Sequence, residues 1–241
     1  MRTNDVQKTS QIINKIITNS NSQKPEKKMK PIEDLSKQEL WKYFLKTFRE
    51  MHGKKFKEDE IALNNLKVLF YYFLRDEKFY ECENLRADIT TPSFNKGLLI
   101  IGGYGLGKTD YFKVFESIFK SYPNLRFKFY TSKALVHQYE ICQTPMDKQS
   151  FFKDVERKLM FIDDISSERI ASNYGQIDVL DEVLIHRYDK KLRTFASCNY
   201  SKRNTCAKQT LVDLGLRYGG RLYDRFHEMF NIIDFRGKSS R

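Results

Sequence analysis

The strongest chemical signal in this chain is one glycine-rich run, Gly102-Gly103-Tyr104-Gly105-Leu106-Gly107-Lys108-Thr109. Its spacing fits G-x-x-x-x-G-K-[ST], the pattern of a phosphate-binding loop. The glycines let backbone N–H groups curl around phosphates. Lys108 is expected to reach the β- and γ-phosphates, and Thr109 to hold Mg²⁺. The run therefore predicts a site for a nucleoside triphosphate, ATP, together with magnesium.

Both flanks of this run suit a phosphate-binding loop. The apolar stretch 97–101 before it predicts a buried parallel strand. After it, apolar side chains recur at helical spacing and predict an amphipathic helix: Tyr111, Phe112, Phe115, Ile118 and Phe119. Strand, loop and helix in this order bring the positive N-terminus of the helix to the phosphates. The context favours a nucleotide site over a chance glycine turn.

A second candidate for chemistry is the acidic pair that ends the apolar stretch 159–162. Asp163 is expected to orient the Mg²⁺ shell, and Asp164 stands where a carboxylate could polarise an attacking water. Asn199 ends another predicted strand, 194–198, and could hydrogen-bond the γ-phosphate or that water. A turn-initiating role is the alternative for Asn199.

Two arginines, Arg221 and Arg225, are four residues apart in a predicted helix and therefore lie on one face of it. An arginine presented to the γ-phosphate of a neighbouring subunit would stabilise the charge of the transition state. A structural ion pair within the chain, for instance with Asp224 or Glu228, is the alternative for Arg225. The spacing alone leaves both interpretations open.

The elements that must position these residues alternate between strand and helix from Gly97 onward. Further strands are predicted at 127–130, 159–162, 194–198 and 231–235, with helices between them. The pattern predicts an α/β fold with a mostly parallel, five-stranded sheet flanked by helices. Ligands are then expected at the carboxyl ends of the strands. This core is assigned to residues 95–241.

The first 94 residues differ in composition from the rest. Residues 1–32 are rich in Asn, Ser, Gln, Thr and Lys and are predicted to form a basic, mobile arm. Residues 33–94 are predicted to form a helical region, with apolar side chains at helical spacing within 40–48 and 61–73. The aromatic stretch 70–73 is interpreted as core or interdomain packing rather than a platform for stacking bases.

The charge balance favours a polyanionic partner. The 241 residues include 43 basic and 31 acidic side chains, a formal net charge of +12, and more than half of the surplus lies before residue 57. The four cysteines show no C-x-x-C spacing, which favours a reduced, cytoplasmic chain. No apolar run approaches the ~18 residues that span a membrane, and no signal peptide is indicated. Nucleic acid is the first partner to consider.

Four runs, GGYGLGKT, LMFIDD, ASCN and YGGRLYDRF, in this order resemble the AAA+ ATPases of the DnaC/IstB type. These are bacterial helicase loaders and transposition helper ATPases, and the resemblance covers about residues 95–241. It implies a P-loop NTPase fold with an AAA+ core. It also implies that Lys108 and Thr109 belong to Walker A, and that Asp163 and Asp164 belong to Walker B.

The same resemblance implies roles for three residues nearer the C-terminus: Asn199 as sensor 1, Arg225 as the arginine finger and Arg241 as the sensor 2 arginine. Loader-type members lack the helical lid that larger AAA+ proteins add after the core, and none is expected here. Asp164 departs from the pattern, because the wider superfamily commonly has a glutamate at this place. A carboxylate that is one methylene shorter favours slow hydrolysis.

Members of this family hold single-stranded DNA inside a ring or spiral of subunits. Candidate contacts lie between the second and third predicted strands, where aromatic and basic residues are interleaved: Tyr139, Lys148, Phe151, Phe152 and Lys153. Packing in the core is the alternative for the two phenylalanines. A second basic cluster near Asn199 is equally ambiguous: Lys202, Arg203 and Lys208.

The predicted function is that of an ATP- and Mg²⁺-binding AAA+ ATPase that self-associates, binds single-stranded DNA and loads or remodels a replicative helicase. A transposition helper ATPase, with a transposase as its client, is the nearest alternative. A P-loop kinase of a small molecule would need a lid, for which 165–176 with Arg169 is the only obvious candidate. A non-hydrolysing, ATP-switched adaptor is a third alternative, because of Asp164.

Overall fold

The computed structural model describes residues 35–201 and 206–237. The predicted basic arm 1–32, two members of the second basic cluster (Lys202 and Arg203) and the sensor 2 candidate Arg241 lie outside these ranges. Their predicted roles stay predictions.

The described residues form seven strands: β1 (Gly97–Gly102), β2 (Lys128–Thr131), β3 (Leu159–Asp163), β4 (Ala171–Ser172), β5 (Gln176–Ile177), β6 (Arg193–Cys198) and β7 (Phe230–Phe235). Five of them make one parallel sheet in the order β2-β3-β6-β1-β7. Every residue of β1, β3 and β7 is buried, as expected for strands covered by helices on both faces. The predicted five-stranded parallel sheet is confirmed.

The strand order explains how distant runs of the sequence meet. β6 lies between β3 and β1, and all three run in the same direction. The carboxyl ends of parallel strands share one edge of the sheet, which is where α/β proteins bind ligands. The glycine loop after β1, the acidic pair at the end of β3 and Asn199 after β6 therefore converge at that edge.

Within the described ranges, eight α-helices accompany the strands: α1 (Lys37–His52), α2 (Glu60–Leu74), α3 (Lys108–Phe119), α4 (Ser132–Glu140), α5 (Pro145–Val155), α6 (Val179–Asp189), α7 (Ala207–Tyr218) and α8 (Gly220–Met229). A short 3₁₀ helix, Glu77–Glu81, follows α2. Side-chain oxygens of Ser36, Thr131 and Thr144 accept early N–H groups of α1, α4 and α5. These caps set where the three helices begin.

The N-terminal helices α1 and α2 pack on α3 through aromatic rings. Phe44 of α1 lies 5.6 Å from Phe115, and Phe73 of α2 lies 4.9 Å from the same ring, measured between centroids. Phe70, Tyr72 and Phe73 are buried, which confirms core packing for the aromatic stretch 70–73. Asn65 of α2 donates to the carbonyl of Arg236, after β7, at 3.0 Å. The described part of 33–94 thus shares one hydrophobic core with the sheet.

β4 and β5, strands of two residues each, form an antiparallel hairpin that the sequence patterns did not predict. It lies between β3 and α6, within the segment 165–176. β7 is the last element of the described chain, so the expected lack of a C-terminal lid stays a prediction. None of the helices described combines the length and apolar character needed to cross a membrane.

Candidate functional site

The glycine loop between β1 and α3 has the backbone that its glycines allow. Gly105 and Gly107 adopt left-handed conformations, with φ of 74° and 81°, a region that side chains rarely enter. Gly107 also precedes α3 directly, and a Cβ atom there would lie 2.5 Å from the Tyr111 ring. Gly107 is therefore required twice, for its conformation and for its lack of a side chain.

Lys108 is the first residue of α3, and its side chain turns back into the loop. Its ammonium donates to the carbonyls of Gly102 and Gly103, both at 2.7 Å, and to Oδ1 of Asn199 at 3.0 Å. The residue is only 7% exposed. The Lys108 ammonium is thus held inside the loop, between the ends of β1 and β6. At this position it would neutralise the charge of a bound phosphate group.

The Thr109 hydroxyl points at β3 and donates to Oδ2 of Asp163 at 2.8 Å. Ser197 of β6 donates to the other oxygen, Oδ1, at 2.5 Å. Asp163 is 6% exposed, so its carboxylate depends on these two hydrogen bonds for stabilisation and orientation. A hydroxyl and a carboxylate are the hard oxygen ligands that Mg²⁺ prefers. Thr109 and Asp163 therefore fit a magnesium ion, and Ser197 fits a supporting role that the sequence patterns did not predict.

Asp164 has a left-handed backbone, with φ of 57°, which is uncommon for a residue other than glycine. Three hydroxyl contacts hold this turn: its N–H donates to Ser197 Oγ at 3.0 Å, and its carbonyl accepts from Ser132 at 2.8 Å and Ser167 at 2.7 Å. The turn directs the partly exposed Asp164 carboxylate away from the core, to where it meets Asn199.

Asn199 bridges the two halves of the site. Its Nδ2 donates to Oδ1 of Asp164 at 2.7 Å, while its Oδ1 accepts from Lys108 at 3.0 Å. One amide thereby joins the cation after β1 to the carboxylate after β3. This placement supports the functional interpretation of Asn199 over a purely turn-forming one.

Arg225 does not contact these residues. Its guanidinium lies 4.4 Å from the Tyr188 ring centroid, and its Nη2 lies 3.4 Å from Oδ1 of Asp189. Its Nη1 is buried and has no hydrogen-bond partner among the residues described. The structure therefore contains the ion pair within the chain that was the alternative for Arg225, but its partner is Asp189 on α6 and not Asp224 or Glu228. Arg221 on the same helix is exposed.

The candidate DNA contacts divide into buried and exposed residues. Tyr139 and Phe151 are 6% and 7% exposed, so both pack in the core. For Phe151 the core alternative was correct, whereas the prediction that Tyr139 offers its ring to bases is wrong for this arrangement. Phe152 is half-buried and Lys153 is exposed. The Lys148 ammonium lies 5.3 Å from the Tyr139 ring centroid.

Tyr174, at the tip of the β4–β5 hairpin, is an exposed aromatic residue that sequence reasoning missed. It is 92% exposed, and the Lys148 ammonium lies 6.0 Å from its ring. The hairpin is fixed to α4: Arg169 pairs with Glu140, with Nη2 and Oε2 2.6 Å apart, and Asn173 donates to the Tyr139 carbonyl at 2.9 Å. The Tyr174-Gly175 turn was the only available signal, and it is a weak one.

At the sequence level, no protein-family model and no curated protein matches this chain. Among solved structures, that of the DnaC helicase loader superposes with a TM-score of 0.51 and 21% identity, covering 75% of this chain and 94% of that one. A structure of DnaI superposes with a TM-score of 0.42 and 20% identity, covering 61% of this chain and 73% of that one. The first likeness shows a shared fold, so the predicted DnaC-like fold is confirmed; the second is too loose to add to it.

Proposed function

We propose that this chain is a DnaC-type AAA+ ATPase that binds ATP and Mg²⁺, assembles on single-stranded DNA and loads or remodels a replicative helicase. The observation that carries the proposal is the junction of Lys108, Asn199 and Asp164 at one edge of the sheet. A phosphate-binding cation, a polar sensor and a carboxylate in mutual contact match the requirements of phosphoryl transfer to water.

In the proposed mechanism Lys108 exchanges its contacts with the Gly102 and Gly103 carbonyls for phosphate oxygens. Thr109 and Asp163 would hold Mg²⁺, which would neutralise charge on the phosphates. Asp164 orients the attacking water and accepts its proton. Asn199, which is hydrogen-bonded to both Lys108 and Asp164, contacts the γ-phosphate. It also keeps the Asp164 carboxylate oriented toward the attacking water.

Arg225 is proposed to act on the neighbouring subunit in an assembly. Its side chain is 15% exposed, whereas its partner Asp189 is 54% exposed, so solvent screens their 3.4 Å contact from the Asp189 side. Exchanging Asp189 for a neighbour's γ-phosphate would replace a screened ion pair with a stronger charge contact. In this proposal the bound γ-phosphate stabilises the subunit contact, and hydrolysis releases it.

The proposed DNA-contacting surface combines Tyr174 with Lys148 and Lys153. The exposed Tyr174 ring beside the Lys148 ammonium suits stacking on bases together with neutralisation of a phosphate, and Lys153 adds an exposed charge on the same helix. The net charge of +12 favours the same partner. Of the original candidates, the two lysines and the half-buried Phe152 keep a proposed role, and Tyr174 takes the place of Tyr139 and Phe151.

The helicase is proposed as the client because the fold is shared with a helicase loader. The kinase alternative loses support, since its only candidate lid, 165–176, contains a hairpin tied to α4 by Arg169 and Asn173. Pull-down with purified replicative helicase and, in parallel, with transposase tests the client. Capture of the transposase alone would favour a transposition helper.

The steady-state ATPase rate, with and without single-stranded DNA, tests the activity. We expect hydrolysis that rises severalfold with DNA in the wild-type chain, and no ATP binding by Lys108→Ala. Tyr174→Ala is expected to lose most of the stimulation, whereas Tyr80→Ala, which removes another exposed tyrosine, is the matched control. ATP binding with a rate that DNA does not change would contradict DNA-coupled assembly and favour the adaptor.

A further inference from the structure

The segment that follows β3 holds an unusual backbone. Asp164 and Ser166 are both left-handed, with φ of 57° and 71°, and only Ile165 separates them. Each such residue is strained, and strain of this kind persists only where the surroundings hold it. The serine contacts at Asp164 account for the first residue. The second is held by a different part of the molecule, the C-terminal end of α7.

Tyr218, the last residue of α7, binds this segment from the side. Its hydroxyl oxygen accepts the N–H of Ser166 at 2.8 Å, and the same hydroxyl donates to Oε1 of Glu168 at 2.7 Å. Arg217 adds a contact to Glu168 Oε1 at 3.3 Å and also pairs with Asp178, which caps α6. We call Ser166, Glu168, Arg217 and Tyr218 the Tyr218 clamp.

The acidic member of the Tyr218 clamp, Glu168, is buried and has few hydrogen-bond donors. The Glu168 side chain is fully buried, and its Oε2 has no hydrogen-bond partner within the described part of the chain. A buried carboxylate depends strongly on the few donors it has. Burial, and then the Glu168 charge, raises the pKa of Tyr218, so the phenol remains a protonated donor. Neither residue contacts the Lys108, Asp163 and Asn199 group directly.

We propose that Tyr218 and Glu168 are positioning residues for hydrolysis, because they hold the turn that aims the Asp164 carboxylate. The inference rests on the proposed ATPase function and adds residues from α7 to that site. Asn199 holds the Asp164 carboxylate through a side-chain hydrogen bond, and the Tyr218 clamp holds the backbone two residues further along the chain, at Ser166. A misplacement of about 1 Å in a reacting group lowers rates by about a hundredfold.

Tyr218→Phe tests the inference, because it keeps the buried ring and removes only the hydroxyl. Tyr72→Phe is the matched control, since Tyr72 is also buried and its hydroxyl donates to the Lys96 carbonyl, away from Asp164. Amide hydrogen exchange of residues 164–168, without nucleotide, reports on the clamp itself. We expect the Ser166 amide to exchange about five- to tenfold faster in Tyr218→Phe, the factor for one lost hydrogen bond, and at the wild-type rate in Tyr72→Phe.

Hydrolysis is then measured at saturating ATP beside the dissociation constant for ATP. We expect Tyr218→Phe to slow hydrolysis about 10- to 100-fold while ATP binds as in the wild type. In an Asp164→Asn background the same change should slow hydrolysis no further, because it acts through Asp164. Glu168→Gln, which keeps an acceptor for Tyr218 and removes the charge, should slow it less.

Unchanged exchange in Tyr218→Phe would overturn the clamp, and faster exchange with unchanged hydrolysis would overturn its positioning role. A further fall in the Asp164→Asn background would assign Tyr218 a general structural role instead. A wild-type chain that hydrolyses no ATP would contradict the proposed function, and the inference with it. An active wild type beside an equally active Tyr218→Phe would contradict the inference alone.

Discussion

Ser197→Ala provides a direct test of how the magnesium site is built. Ser197 is 1% exposed and donates to Oδ1 of Asp163 at 2.5 Å, while accepting the N–H of Asp164 at 3.0 Å. The alanine variant removes both bonds and adds no atoms. Asp163 then keeps Thr109 as its donor on Oδ2 but loses the contact that fixes the rotation of the carboxylate.

The size of the effect follows from these contacts. A hydrogen bond to a charged group contributes about 1.5–3 kcal/mol, which corresponds to roughly a 10- to 150-fold change in an equilibrium constant. Removal of a residue that orients a metal ligand typically weakens metal binding about 10- to 100-fold. We therefore expect the Mg²⁺ concentration that half-saturates nucleotide binding to rise about 10- to 100-fold in Ser197→Ala.

The assay is a Mg²⁺ titration of the binding of a fluorescent ATP analogue, at a temperature where circular dichroism shows the variant folded. Ser197→Thr is the matched control: it keeps the hydroxyl, and its β-branched side chain suits a strand. It should bind Mg²⁺ within about threefold of the wild type, because the donor to Asp163 remains. If Ser197→Ala is folded and its Mg²⁺ midpoint lies within twofold of the wild type, the reasoning is wrong.

Three further predictions concern assembly, stability and pH. Arg225→Ala should still bind ATP but lose cooperative, ATP-dependent assembly, measured by analytical ultracentrifugation; normal assembly would exclude Arg225 as the finger. Arg187→Met should lower the free energy of unfolding in urea by about 3–5 kcal/mol, because it leaves three buried carbonyls and the Thr194 hydroxyl without the donor that the guanidinium gives them; a loss below about 1 kcal/mol would contradict this. The hydrogen bond from Arg169 lowers the pKa of Glu140 from 4.5 to about 2, so its anchoring of the β4–β5 hairpin is complete above pH 4.5 and lost as the pH falls through 2. The protection factors of residues 169–176, which correct amide exchange for its intrinsic dependence on pH, should fall across that window, and Arg169→Ala should remove this dependence.

Arg225 and Tyr174 illustrate where prediction from sequence stopped. The i, i+4 spacing correctly placed Arg221 and Arg225 on one helix, but a helix pattern says nothing about the helix it packs on. Asp189, the partner of Arg225, is 36 residues away in the chain, and no local pattern links the two. The β4–β5 hairpin was missed because strands of two residues carry no readable alternation. Without the hairpin, the sequence offered no reason to place Tyr174 on an exposed surface.

The sequence by itself determined the features that depend on neighbours along the chain. The loop 102–109 was predicted with its strand and helix because glycine conformations, an apolar run and a helix N-terminus are local properties. The apolar run that ends in Asp163 and Asp164 was readable for the same reason. The parallel arrangement of the strands was predictable as well, because strands connected by helices can form only a few sheet topologies.

Only the tertiary structure decided which side chains meet across the sheet. Strand order placed β6 between β3 and β1, and this brought Asn199 to both Lys108 and Asp164. Ser197 supports Asp163 through a hydrogen bond between residues that are 34 positions apart in the sequence. Tyr218 supports Ser166 in the same way, across a separation of 52 positions. A serine or a tyrosine carries no mark of such a role in its local pattern, because the hydrogen bond exists only once separate elements have packed together.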